Sequence, residues 1–171
     1  LLEIDVPGHT ESWCVGYPEV CLPPSASGKR CAANGLLNVA ADATWRLLDN
    51  VLTEMAGRDA LFPEALLHLG GDEADFNCWS SELSKSVATG ADTSARSAFG
   101  RFVNRAAATA LSLGRRPINW VDAFTILGNA LHNQTIVHVW GDPHKLQRAA
   151  AAGYDVLLSA GWYLDGLDQR W

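Results

Sequence analysis

Apolar and polar positions follow two rhythms along this chain, and the rhythms take turns. Short, mostly apolar runs recur at Leu1 to Asp5, Leu66 to Leu69, Pro117 to Trp120, Thr135 to Trp140 and Asp155 to Ser159. Runs this short, bounded by Gly, Pro and Asp, predict buried strands. Between them apolar residues fall three and four apart. Trp45, Leu48, Leu52 and Met55 make one face of a helix from about Ala43 to Ala56, with Asp42 as its N-cap, Gly57 as its stop and Trp45 as a core residue. Phe99, Phe102, Val103, Ala106, Ala110 and Leu113 make the stripe of a long helix that Ser94 caps and Gly114 closes. A weaker helix is predicted near Phe124 to Leu131. Another starts at Pro143 and runs to about Ala152, before Gly153. Glu11 to Val39, rich in Pro, Gly, Ser and Cys, reads as one long loop. Strand and helix thus alternate, with about five strands and four helices. That alternation predicts an α/β fold on a parallel sheet.

Composition narrows the picture. The 171 residues are 48% hydrophobic and 19% charged, ordinary for a packed core and unlike a disordered chain. Net charge is −6 with no basic run, which argues against nucleic acid as a partner. No apolar run is long enough for a membrane span, and no signal peptide is visible. The four cysteines, Cys14, Cys21, Cys31 and Cys78, are even in number and three share the long loop. They suggest disulfides and an oxidising compartment, with three possible connectivities. They lack Cys-x-x-Cys spacing, so a zinc site is the weaker use. Asn133-Gln134-Thr135 fits an N-glycosylation acceptor.

The candidate chemistry centres on His68-Leu69-Gly70-Gly71-Asp72-Glu73. Two glycines let the chain turn sharply out of a strand and leave room for a ligand. Two adjacent carboxylates follow. On a still-extended segment their side chains diverge, so each is expected to address a different atom of a bound molecule. Environment can keep one carboxyl protonated and the other ionised. Asp5 and His9 flank the turn after the first strand, where an Asp close to a His fixes its tautomer and raises its basicity. A lone His or a lone Asp-Glu pair is more often structural or merely solvated. Here the candidates all fall at strand C-terminal ends, which one face of a (β/α) barrel collects into a site.

These stretches resemble the markers of the glycoside hydrolase family 20 β-N-acetylhexosaminidases: Asp5-x-Pro7-Gly8-His9, His68-x-Gly70-Gly71-Asp72-Glu73, Asn119-Trp120, Val139-Trp140 and Trp162-Tyr163-Leu164-Asp165, in the family's order. The resemblance implies a (β/α)8 TIM barrel. Such a barrel needs roughly 250 residues, so about five strands and four helices would be the central part of one catalytic domain. The chain lacks an initiator Met and starts inside an apolar strand, which fits that expectation. The family's sugar-binding Arg and relay Asp would precede Leu1, and a last pocket Trp and sugar-holding acid would follow Trp171. The 171 residues alone are then expected to be inactive.

The resemblance further implies removal of terminal β-linked N-acetylhexosamine from glycans, with the substrate's own acetamido oxygen as nucleophile. Glu73 would be the general acid and then the base. Asp72 would orient the acetamido group. His9 and Asp5 would form the relay behind Glu73, and Tyr163 would bond the acetamido oxygen. Trp120 and Trp140 would wall the pocket and Asp165 would hold sugar hydroxyls. No cofactor and no metal is needed. Cys31 would pair with Cys78 and Cys14 with Cys21, in a protein of the lysosome, vacuole or cell exterior. A homodimeric parent is an assembly the resemblance allows. Two rivals stand beside it. One is a metal-dependent hydrolase using His9, His68, Asp72, Glu73 and His138, although no His-Glu-x-x-His spacing occurs and His68, inside an apolar strand, reads as structural. The other is a carbohydrate-binding protein on the same scaffold without catalysis.

Overall fold

The structure is a computed structural model that describes residues 1–23, 35–79 and 94–162. Its centre is a parallel sheet of five strands in chain order: β1 (Leu2–Glu3), β2 (Leu66–His68), β3 (Arg116–Trp120), β4 (Ile136–Val139) and β5 (Val156–Leu158). Leu2 pairs with Leu67, Leu67 with Pro117, Ile118 with Ile136 and Val137 with Val156. Parallel neighbours need crossovers, and helices supply them: α2 (Asp42–Ala56), α3 (Ala95–Ser112), α4 (Val121–Leu127) and α5 (His144–Ala151). This is the parallel sheet that the alternation predicted, and it forms one arc of the (β/α)8 TIM-barrel wall that the resemblance implied.

The helices form where the apolar spacing is helical, and their buried faces follow it. Phe99, Phe102, Val103, Ala106 and Ala110 of α3 are buried, and the Ser94 side chain caps that helix by accepting from the Ser97 N–H at 3.1 Å. On α2 the buried residues are Thr44, Leu48, Leu52 and Ala56. Trp45, expected in the core, is half-buried instead. It lies against Phe102, 5.0 Å between ring centroids, with the Arg105 guanidinium 4.0 Å over its ring. Asp42 is the first residue of α2 rather than its cap, and Ala41 holds the cap position without a side-chain bond.

Two further expectations need correcting. The stretch read as one loop contains a short helix, α1 (Glu11–Gly16), and a 3-10 turn (Pro18–Val20). Elements that short carry too few apolar positions to show a period. The weak helix expected from Phe124 begins earlier, at Val121, directly behind β3. It ends at Leu127 and continues as a 3-10 turn, Gly128–Ala130. Besides these helices, residues 76–79 are also helical.

Beneath the sheet, at the end where strands begin, Arg115 fastens the arc. Its guanidinium donates to the carbonyls of Ala56, Gly57, Pro63 and Glu64 at 2.7–3.1 Å. That satisfies carbonyls that the end of α2 leaves open. The opposite end, where strands finish, is free to carry chemistry.

Candidate active site

The site is built on the exit from β2. Gly70 and Gly71 both take left-handed backbone angles, φ 61° and 95°. Neighbouring strands hold the turn from both sides. Gly71 N–H donates to Asp5 Oδ1 at 3.3 Å, and the Gly70 carbonyl accepts from Trp120 N–H at 2.8 Å and from Asn119 Nδ2 at 3.1 Å. A Cβ on Gly70 would overlap the Asp5 carboxylate, so the turn needs glycine for space as well as for φ.

Two residues without that freedom also sit at positive φ: His9 at 52° and Glu73 at 48°. Such angles are uncommon outside glycine and cost about 1–3 kcal/mol each. They bring the two side chains together. His9 Nε2 lies 3.3 Å from Glu73 Oε2 and 3.6 Å from Asp72 Oδ2. Because Glu73 lies in a turn and not on an extended segment, the pair does not diverge as expected. One oxygen of each carboxylate faces the same imidazole. The difference between the two acids is burial. The Glu73 side chain is 55% exposed and that of Asp72 only 15%. Asp72 Oδ1 is buried with no hydrogen-bond partner among the described residues.

Electrostatics keeps this cluster partly protonated. Burial, and then the charge of Asp72, push Asp5 up to about 7 against the pull of His9. Asp72 is also raised. Burial does most of it and the charges of Asp122 and Glu73 add to it, while its own backbone N–H and His9 oppose. Asp5, His9 and Asp72 each bring one side-chain oxygen or nitrogen within 4.8 Å of the others. The five residues of the metal-hydrolase rival do not converge. His9 faces Asp72 and Glu73, whereas His68 faces His138, 3.1 Å between ring nitrogens, and Glu3.

The aromatic candidates stand at the ends of β3 and β4, and each is tethered by a carboxylate that sequence reasoning missed. Trp120 Nε1–H donates to Glu3 Oε1 at 2.8 Å, and Trp140 Nε1–H to Asp122 Oδ2 at 2.8 Å. Asp122, two residues past the Asn119-Trp120 marker, also lies close enough to raise Asp72. Only its nearness to that marker could have flagged it. Glu3, two residues before Asp5 and so on the same face of the chain, had the same faint signal. His68 is 1% exposed, a buried and bonded residue as expected. Tyr163, Asp165 and Cys31 lie outside the described residues. Cys14 and Cys21 are bridged, and Cys78 is not a free thiol. Asn133 is exposed in a turn, next to a fully buried Thr135.

Comparison with known proteins agrees with this geometry. The family described as "Glycosyl hydrolase family 20, catalytic domain" matches residues 1–171. Beta-hexosaminidase 1 of Arabidopsis thaliana is 35% identical over 100% of this chain, and the beta-hexosaminidase subunit beta of Homo sapiens is 31% identical over 96%. In each case the chain spans 30% of the relative's length. Among solved structures, the β-N-acetylhexosaminidase of Bacteroides fragilis superimposes with a TM-score of 0.74 at 25% identity, covering 99% of this chain and 33% of that one. The chain belongs to glycosyl hydrolase family 20, and its residues are those of that family's catalytic domain.

Proposed function

We propose that the protein carrying this chain is a β-N-acetylhexosaminidase. It removes terminal, non-reducing β-linked N-acetylhexosamine from glycans and glycoconjugates by substrate-assisted, retaining catalysis. The observation that carries the reading is His9 held between the Asp72 and Glu73 carboxylates at a barrel strand's C-terminal end. The two acids differ in exposure as their roles require. Glu73, open to solvent, protonates the leaving oxygen as the bond to the anomeric carbon breaks. It then takes a proton from the attacking water. Asp72, largely buried, accepts the acetamido N–H and stabilises the positive charge that develops as the acetamido oxygen closes on the anomeric carbon. Its buried Oδ1, without a donor among the described residues, supports that assignment, because a buried acceptor without a donor is costly and a substrate N–H relieves the cost.

His9 and Asp5 act behind Glu73 as relay and orienter. Trp120 and Trp140 wall the acetamido group, where apolar faces suit its methyl and exclude water. Tyr163 bonds the acetamido oxygen and Asp165 the sugar hydroxyls, both by family resemblance. The Cys14–Cys21 bridge, a Cys31–Cys78 pairing and glycosylation at Asn133 fit passage through the secretory pathway to a lysosome, vacuole or the outside.

The test is release of a chromogenic leaving group from a β-N-acetylglucosaminide by the full-length protein, compared with Glu73→Gln and Asp72→Asn. Loss of turnover in both variants, with sugar binding kept, is the expected result. A wild type that binds the sugar without hydrolysing it would make this a carbohydrate-binding protein. Loss of activity with a chelator would revive metal-dependent hydrolysis.

A further inference from the structure

One layer inside the catalytic turn, four side chains from four consecutive strands close into a ring. Glu3 and His68 are register partners on β1 and β2, and Trp120 and His138 are register partners on β3 and β4. Glu3 Oε1 accepts from Trp120 Nε1–H at 2.8 Å and lies 3.2 Å from His68 Nδ1. His68 Nε2 lies 3.1 Å from His138 Nδ1. His138 then stacks on Trp120, with centroids 4.2 Å apart and planes 25° apart, and His68 packs against the same indole at 4.6 Å. The catalytic steps above use none of Glu3, His68 or His138.

Hydrogen-bond logic gives the ring a direction. Gly70 N–H points at His68 Nδ1 from 3.1 Å, so that nitrogen is contested. It either accepts from Gly70 or donates to Glu3, and it cannot do both. The Gly70 N–H meets Nδ1 with hydrogen-bond geometry, and Glu3 stands beside the ring as an ion-pair contact. Nδ1 therefore accepts, and a buried N–H keeps its partner. His68 Nε2–H then donates to His138 Nδ1. Each hydrogen bond has one donor and one acceptor: Trp120 to Glu3, Gly70 to His68, His68 to His138. The indole is held at its N–H by Glu3 and on its face by two imidazoles. Its tilt and its flip are both blocked.

We propose that Glu3, His68 and His138 are positioning residues that lock the Trp120 indole plane and so set how closely the site fits the acyl group on the sugar's 2-amino nitrogen. The selectivity half rests on the reading that Trp120 walls the acetamido group; the lock itself rests only on the geometry of the ring. In this protein the acyl selectivity is then written partly in three residues that touch no substrate.

The experiment uses the full-length protein labelled with fluorotryptophan, and nitrophenyl β-glycosides of N-acetyl- and N-propionylglucosamine. Fluorine NMR identifies the Trp120 signal by its loss in Trp120→Phe. In Glu3→Leu and His138→Leu that signal should move and broaden, and in Glu3→Gln, which keeps an acceptor for the indole, it should return towards wild type. The preference for N-acetyl over N-propionyl should fall about tenfold in Glu3→Leu, the worth of one hydrogen bond, with KM moving more than kcat. Glu3→Gln should recover most of it. An unmoved Trp120 signal in a folded Glu3→Leu or His138→Leu overturns the lock. A moved signal with unchanged acyl preference overturns the selectivity. A wild type without glycosidase activity defeats the proposed function, and the fluorine signal still decides the lock.

Discussion

The β1–β2 side and the β3–β4 side of this arc do different work with different materials. The first is a pair of turns. His9 and Glu73 sit at positive φ, two glycines carry the chain between them, and the carboxylates crowd one imidazole. The second is regular strand, ending in two tryptophans whose N–H groups are each held by an acid. On the proposed mechanism, proton transfer falls to strained turns and the surfaces that hold the acyl group fall to strand ends tied across the sheet. The lesson is about tolerance. On the first side a change of a single atom should abolish function, whereas on the second it should only loosen it.

That contrast can be broken most directly at Glu73. Glu73→Gln keeps the shape and removes the transferable proton, and should lower kcat by a factor on the order of 10³–10⁴. Trp140→Phe, on the other side, should act mainly on KM. Steady-state kinetics of the two variants side by side would erase the distinction if both lost kcat equally.

The next largest effect is on stability. Gly70→Ala forces a Cβ into the Asp5 carboxylate at a left-handed φ. The backbone alone costs about 1–2 kcal/mol, and the overlap adds to it. Denaturant unfolding should show a midpoint shift larger than for any conservative change on β3 or β4. The same variant should also lose activity, because Asp5 anchors the turn through Gly71 N–H.

Asp122 sharpens the comparison, because it belongs to both sides. It tethers Trp140 and raises Asp72. Asp122→Leu leaves the part-buried Trp140 N–H without its acceptor, a loss of about 1 kcal/mol. KM should rise by about tenfold or less. Asp122→Asn should restore KM while lowering the Asp72 pKa, since the like charge is gone. The pH profile then reports the electrostatic half separately from the tether.

The smallest effect is a pH slope. Asp5 holds its proton to about 7 in the fold, against 3.8 without the site around it. Between those values the folded state carries more protons than the unfolded one. Its contribution to stability therefore falls as pH rises from about 4 to about 7 and is level above that. Asp5→Asn should flatten this slope in unfolding curves taken across the window. In kcat/KM the wild type should decline as pH passes about 7, where ionised Asp5 adds negative charge beside Asp72 and His9. The variant should lack that limb.

Much of this was legible in the chain. The helical stripe of α3 and the Ser94 cap are local patterns, and local patterns survive reading one residue after another. So is the Gly-Gly turn, because positive φ has few residue types to choose from. The short helix α1 and the early start of α4 were not legible. Six residues do not show a period, and α4 follows β3 with no turn residues between them.

By itself the sequence determined the alternation of strand and helix, the placement of the markers on the first four strands at or near their ends and the chemical types available there. It did so because hydrophobic period, capping and glycine chemistry act over a few residues. Only the tertiary structure decided that Asp72 and Glu73 converge on one imidazole, that Asp122 holds Trp140, and that Glu3 reaches Trp120 from 117 residues away. Those outcomes depend on parallel register and on burial, which sum contributions from the whole chain and which no local stretch encodes.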